Sequence, residues 1–187
     1  MNRYSNVVGI DDAPLPSDPA DPVPIVGAVF AGLRLDGVLV SSVTRDGFDA
    51  TEAIIRAVSR SRFREHVRLV LLQGITVGGF NVVDGIALHR ELGVPVVVVS
   101  RREPDMTAVR RALLSHIPEG RDKWEVIRRL GPMEPCAGVY VQRVGIGGEA
   151  AESVVRRLSA HSRLPEPLRV AHLIAGALAY GESRGRV

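Results

Sequence analysis

A chain of 187 residues, 45% of them hydrophobic, is long enough to bury one core, and its apolar runs fall far short of the roughly 20 residues that cross a bilayer. Cys136 is the single cysteine, which excludes an intrachain disulfide and a CxxC metal knuckle. The formal charge of +3 rests almost wholly on arginine, with Lys123 the single lysine. Guanidinium groups fork phosphates, but so small an excess fits a biased composition as well as a nucleic-acid partner. The opening MNRYSNVVGIDDAP lacks the apolar core of a secretory signal, so the expected location is the cytoplasm and no membrane partner is expected.

VVGIDDAP predicts a first strand over Asn6–Asp11, with Asp11 and Asp12 side by side where Pro14 ends it. The proline-rich loop LPSDPADPVP follows. IVGAVFAG and DGVLVSSVT, residues 24–31 and 36–44, read as two more strands joined by the turn LRLDG, completing a meander. From Phe48 the period changes, and Ala50, Ala53, Ile54, Ala57 and Val58 line one face of a helix that Asp49 and Glu52 would open as a capping box. VRLVLLQ, residues 67–73, is a continuous apolar run of the kind a doubly buried strand shows. The glycine-rich GITVGGF then leads into a helix expected over Asn81–Leu92, and VPVVVVS, residues 94–100, into another buried strand.

Helices are expected over Met106–His116 and Lys123–Leu130, a strand over residues 137–144, and helices over Glu149–Ala160 and Glu166–Ala179. The last is apolar nearly all round apart from Arg169 and His172, which implies burial between other elements. This order is not a strict β-α alternation. It predicts an α/β domain over residues 1–187, with a mixed sheet of antiparallel meander plus parallel strands covered by helices.

Asp11, at a strand end, could gather Asp46, Asp49, Glu52 or Asp84 into the hard-oxygen arrangement that holds Mg²⁺ beside phosphates. The alternative is local: Asp12 starting a turn, Asp49 capping a helix. Gly74, Gly78 and Gly79 let backbone approach a ligand closely, ahead of a helix N-terminus. Arg101 and Arg102 lie on the same edge as Gln73 if their strands are parallel, where Arg101 would steady a phosphate or simply pair with Glu103. The five histidines are scattered and read as structural or surface groups.

GVYVQRVGIGGEAAESVVRRLSAHSRLPEPLRVAHLIA resembles the C-terminal part of endonuclease V, where a strand, a helix and an RLPEPLR segment follow in that order. VVGIDDAP resembles that family's first strand, and LVLLQGITVGGFNVVDGIALHRELGVPVVVVSRR its central strand, pocket loop, helix and next strand. Over nearly its full length the chain is identified as a member of an archaeal family of uncharacterised proteins related to endonuclease V.

The resemblance implies a ribonuclease H-like fold, a Mg²⁺ or Mn²⁺ cofactor and a DNA or RNA partner. It carries over Asp11 as a metal ligand, Gly74 and Gly78 of the pocket loop and Arg101 as the basic residue after the next strand, with Asp49 the nearest acid to the family's glutamate. Joined to the residues read above, this gives the expected sets: Asp11 with Asp46 or Asp49 for the metal, Asp11, Asp49 and Arg101 for catalysis, and Gln73, Gly74, Gly78, Gly79 and Asn81 for substrate. The pattern also departs from the family. Gln73 stands where endonuclease V has a metal-binding aspartate, its two site histidines fall near Gly79 and Gly145, and its strand-separating wedge is missing from VLVSSVTRDGF. Two readings follow: a divergent metal-dependent nuclease acting near an unpaired or modified base, or an inactive nucleic-acid or nucleotide binding module of the same fold.

Overall fold

In the computed structural model, which describes residues 4–184, β1 (Asn6–Asp12), β2 (Val23–Ala31) and β3 (Arg34–Val43) form the expected antiparallel meander. The β2–β3 turn is tighter than LRLDG suggested. Only Gly32 and Leu33 lie between the strands, and Gly32 adopts φ 63°, which an L side chain resists. β4 (Leu69–Gln73) runs parallel to β1, and β7 (Val96–Ser100) parallel to β4. Completed by β8 (Glu134–Cys136) and β9 (Val139–Val144), the seven-stranded sheet has the order β3-β2-β1-β4-β7-β9-β8.

Two segments differ from expectation. Residues 81–92 are not one helix: Asn81–Val82 is strand β6, paired antiparallel with β5 (Thr76–Val77), and α2 (Gly85–Leu92) starts only after Asp84. The Asp84 carboxylate accepts from the N–H groups of Ile86 and Ala87 and fixes that start. A short apolar run has no period that separates buried strand from helix. Residues 137–144 hold only half of a hairpin, β8 (Glu134–Cys136) with β9 (Val139–Val144). Ala137 (φ 48°) and Gly138 (φ 86°) supply the two positive-φ residues that a tight hairpin turn requires.

Side chains of the central strands sort by parity onto two faces. Val8, Ile10, Val70, Leu72, Val96 and Val98 pack beneath α1 (Ala50–Ser59) and α2. Val7, Leu69, Leu71, Val97 and Val99 face α5 (Gly148–Leu158) and α6 (Glu166–Tyr180). Burial at each such position stabilises the fold by about 1.5–3 kcal/mol. α6 crosses β1 at Gly9, where a Cβ would lie 2.6 Å from the Pro167 carbonyl oxygen and 2.7 Å from the Leu168 nitrogen. That missing side chain lets a helix lie against backbone, and the same helix packs Ala171 and Ala175 over Val26, Ala28 and Phe30. α3 (Met106–His116) and α4 (Gly120–Leu130) close one end, burying Leu113, Val126 and Ile127 with Val82.

Candidate active site

The parity that builds the core continues past it. Asp11, Gln73 and Arg101 follow Val7, Leu71 and Val99 in the odd set, at or just beyond the C-terminal ends of three adjacent parallel strands. Because α6 lies so close over Gly9, its next turn brings His172 to Asp11, with the imidazole Nδ1 2.8 Å from Asp11 Oδ2. The carboxylate is buried, Asp11 being 4% exposed, while the His172 side chain is 38% exposed.

Burial pushes the Asp11 carboxyl above the usual carboxylate range, and the His172 hydrogen bond is the largest force against that rise. The same bond pulls the imidazole above its ordinary value. Arg101 is near enough to act on both, favouring the ionised carboxylate and opposing the imidazolium. A carboxylate that orients a histidine able to hold or release a proton is the central device of general acid–base catalysis.

Gln73 adds a different signal. Its Oε1 is buried without a hydrogen-bond partner, a state that costs about 1–3 kcal/mol. An amide oxygen left in this state on the strand next to Asp11 is an acceptor open to an N–H or O–H group or to a cation.

Asp12 has the opposite parity and the opposite task. Its Oδ2 accepts from Gly78 N–H at 2.8 Å and ties the β5–β6 hairpin to β1. Burial, with the Asp11 charge adding to it, pushes Asp12 up to about 6 despite the Gly78 bond. The two neighbouring acids therefore serve two faces: Asp11 shares its face with Gln73 and Arg101, and Asp12 anchors the glycine hairpin.

Asp46 and Asp49, expected beside Asp11, have their carboxylates committed to that hairpin instead. Asp46 accepts from Phe80 N–H at 2.8 Å and its own N–H donates to the Gly78 carbonyl; a Cβ on Gly79, whose φ is 85°, would collide with the Asp46 carboxylate. Asp49 sits before α1 without capping it, so the expected capping box is absent. Its carboxylate accepts from Thr44 N–H and Oγ1 and from Asn81 Nδ2. Burial opposes the ionised Asp49, but the Asn81 and Thr44 bonds outweigh it and hold the carboxyl below its ordinary value.

Asn81 is fully buried, its Oδ1 accepting from Ala50 N–H and its Nδ2 donating to the Thr44 carbonyl and Asp49. Glu52 pairs with Arg56 on the surface, and Asp84 caps α2. Among the described residues no group of three or more His, Cys, Asp or Glu side chains could hold a metal.

The structure thus brings Asp11, Gln73 and Arg101 together, with Gly74 directly after Gln73. Asp46, Asp49, Gly78, Gly79 and Asn81 form an adjoining clamp that fixes the hairpin beyond them. His172 is the member that the sequence reading missed. Its signal was present: on a helix apolar nearly all round, an isolated polar side chain needs a buried partner.

The sequence model of the family described as endonuclease dU matches residues 3–179. A UPF0215 protein of Deinococcus radiodurans is 48% identical over 184 residues, covering 98% of this chain and 94% of its own. A crystal structure of a protein of unknown function from Archaeoglobus fulgidus superposes with TM-score 0.88 at 35% identity, over 94% of this chain and 99% of that one. Endonuclease V of Ciona intestinalis, solved with a DNA containing an inosine, superposes with TM-score 0.58 at 11% identity, over 89% and 82% of the two chains. The sheet order and this likeness make the fold ribonuclease H-like.

Proposed function

The chain belongs to the endonuclease dU family, and from that premise we propose that it hydrolyses phosphodiester bonds of nucleic acid beside an unpaired or modified base. The observation that carries this reading is the hydrogen bond between the buried Asp11 carboxylate and the half-exposed His172 imidazole at the C-terminal ends of the parallel strands of a ribonuclease H-like sheet, with Arg101 near it. Asp11 orients the imidazole and balances its charge, so that His172 can hold or give up a proton at Nε2 next to a bound phosphodiester. Arg101 offsets phosphate charge as it grows on the equatorial oxygens. The β5–β6 hairpin is fixed by its Asp12, Asp46 and Asn81 clamps, and Gly74 ahead of it, where a Cβ would meet nothing nearer than the Thr76 carbonyl at 3.9 Å, offers open backbone against which an everted base can lie.

The donors fit Mg²⁺ or Mn²⁺ held largely by substrate phosphates, since the Asp11 carboxylate and the unpartnered Gln73 Oε1 supply two hard oxygens on adjacent strands. When bound, such an ion supplies Lewis-acid charge at the phosphoryl oxygens. With a neutral amide in place of a second carboxylate, the protein alone holds it weakly, and affinity rises with substrate present.

Incubating the protein with DNA and RNA bearing deoxyuridine, inosine or no modified base, with Mg²⁺ or Mn²⁺, tests the proposal. Strand cleavage is expected, at a rate that Asp11→Asn lowers by about 100-fold or more. Absence of cleavage, or cleavage untouched by that substitution, defeats it. One observation favours the binding-module reading: the described residues contain no three-ligand metal cluster. That reading requires metal-independent, salt-sensitive binding without cleavage.

A further inference from the structure

Beyond Arg101 the chain enters α3, and its exposed face differs from those of the other helices. Arg101, Arg102, Arg110 and Arg111 are all exposed, and among the described residues none of them forms an ion pair with a carboxylate. On the other helices most surface arginines have a carboxylate partner, as Arg56 has Glu52, Arg128 has Glu125 and Arg156 has Glu152. Arg121 of α4 is exposed without one among the described residues, as are Arg60, Arg62, Arg64 and Arg163 outside the helices, but none of these lines the cleft described next. The two unpaired arginines of α3 border a cleft of about 540 Å³, whose apolar floor is Met106, Leu114 and Trp124. The Arg110 guanidinium carbon is 6.0 Å from the centre of the Trp124 ring. A second hollow of about 310 Å³ shares Met106 and Trp124 and has Arg128 on its wall. The half-buried indole therefore divides two hollows, with cations on either side.

We propose that the α3–α4 face is a binding site for single-stranded nucleic acid, one unpaired base stacking at Trp124 and the flanking phosphates lying on Arg110 and Arg111. The charge argument selects this occupant: guanidinium groups without carboxylates, on the rim of an aromatic floor, match a strand that alternates phosphate with flat apolar rings. An apolar protein helix would leave the Arg110 and Arg111 charges unmatched. α3 begins five residues after Arg101, so a strand leaving the Asp11 edge has a short path to this face. The site would hold sequence on one side of the cleaved bond and so set how far single-stranded substrate must extend. The choice of ligand rests on the nuclease reading.

Trp124 is the sole tryptophan, so its emission reports on the site directly. The full chain is titrated with a short fluorescein-labelled oligothymidylate, following Trp124 emission and label anisotropy together over a range of salt. Expected are quenched emission, an affinity that falls steeply with salt, and a double variant Arg110→Ala/Arg111→Ala whose salt slope is shallower by about 1.4, or 0.7 for each lost phosphate contact. Trp124→Leu weakens binding by about fivefold or more, and Asp11→Asn leaves the quenching in place. Binding seen by anisotropy with emission and salt slope indifferent to these changes overturns this site while the cleavage proposal stands. Emission that shifts with protein concentration alone, accompanied by dimer formation in sedimentation, assigns the face to a second copy of the chain and also overturns it. Loss of all oligonucleotide binding removes this proposal together with the nucleic-acid reading.

Discussion

Asp11 and Asp12 show how far one residue of register separates two fates. Both are raised by burial, yet one meets a histidine and the other a backbone N–H. For Asp12 the consequence for stability has a definite sign. Its folded value of about 6 lies above the ordinary 3.8, so between these pH values the folded state binds the proton more tightly than the unfolded chain. Stability therefore falls as pH rises through that window, and the ionised carboxylate costs up to about 3 kcal/mol at neutral pH. Asp12→Asn keeps an oxygen for Gly78 N–H and removes the charge. Denaturant unfolding is expected to find the variant more stable than the parent at pH 7, with the difference vanishing as pH falls below about 3, under the unfolded value; equal stability at pH 7 contradicts the assignment. The sequence could raise the question of the paired acids, because strand parity sends neighbours to opposite faces. It could not identify the partners, since His172 is 161 positions from Asp11 and Gly78 is 66 from Asp12.

At the scale of elements, the site depends on how closely α6 lies on β1. Gly9 sets that distance, for any Cβ there meets the backbone of Pro167 and Leu168 rather than a movable side chain. Gly9→Ala is expected to lower stability by about 3 kcal/mol and to cut cleavage as well, because lifting α6 draws His172 away from Asp11. Paired unfolding and activity measurements check this, and an alanine accepted within about 0.5 kcal/mol shows that α6 can shift freely. The glycine hairpin is held by a different logic. Asn81 closes three hydrogen bonds that join β6 to α1 and to the β3–α1 loop. Asn81→Ala leaves the buried Ala50 N–H unsatisfied and strips the Asp49 carboxylate of one donor, while the Thr44 carbonyl keeps the Gly47 N–H; the cost is roughly 2 kcal/mol, and thermal unfolding reads that loss. Sequence periodicity found the long elements on both sides of this hairpin but merged β6 into α2. Two-residue strands held by side-chain bonds from distant loops carry no period of their own.

For the molecule as a whole, the sheet was legible because its information is local. Apolar runs mark β4 and β7, alternation and spacing mark the meander, and helical faces mark α1, α5 and α6. The active edge was half legible. Strand ends placed Asp11, Gln73 and Arg101, whereas the diversion of Asp46 and Asp49 into the hairpin clamp depended on loop geometry that no spacing rule encodes. What unites the scales is the claim that Asp11 and His172 act as one catalytic unit. Single-turnover cleavage by the parent chain, Asp11→Asn, His172→Ala and the double variant tests it most directly. Residues that act together lose little more jointly than singly, so the double variant should be no more than a few-fold slower than the worse single one. Losses that multiply across the two substitutions, or a His172→Ala chain as fast as the parent, would contradict it.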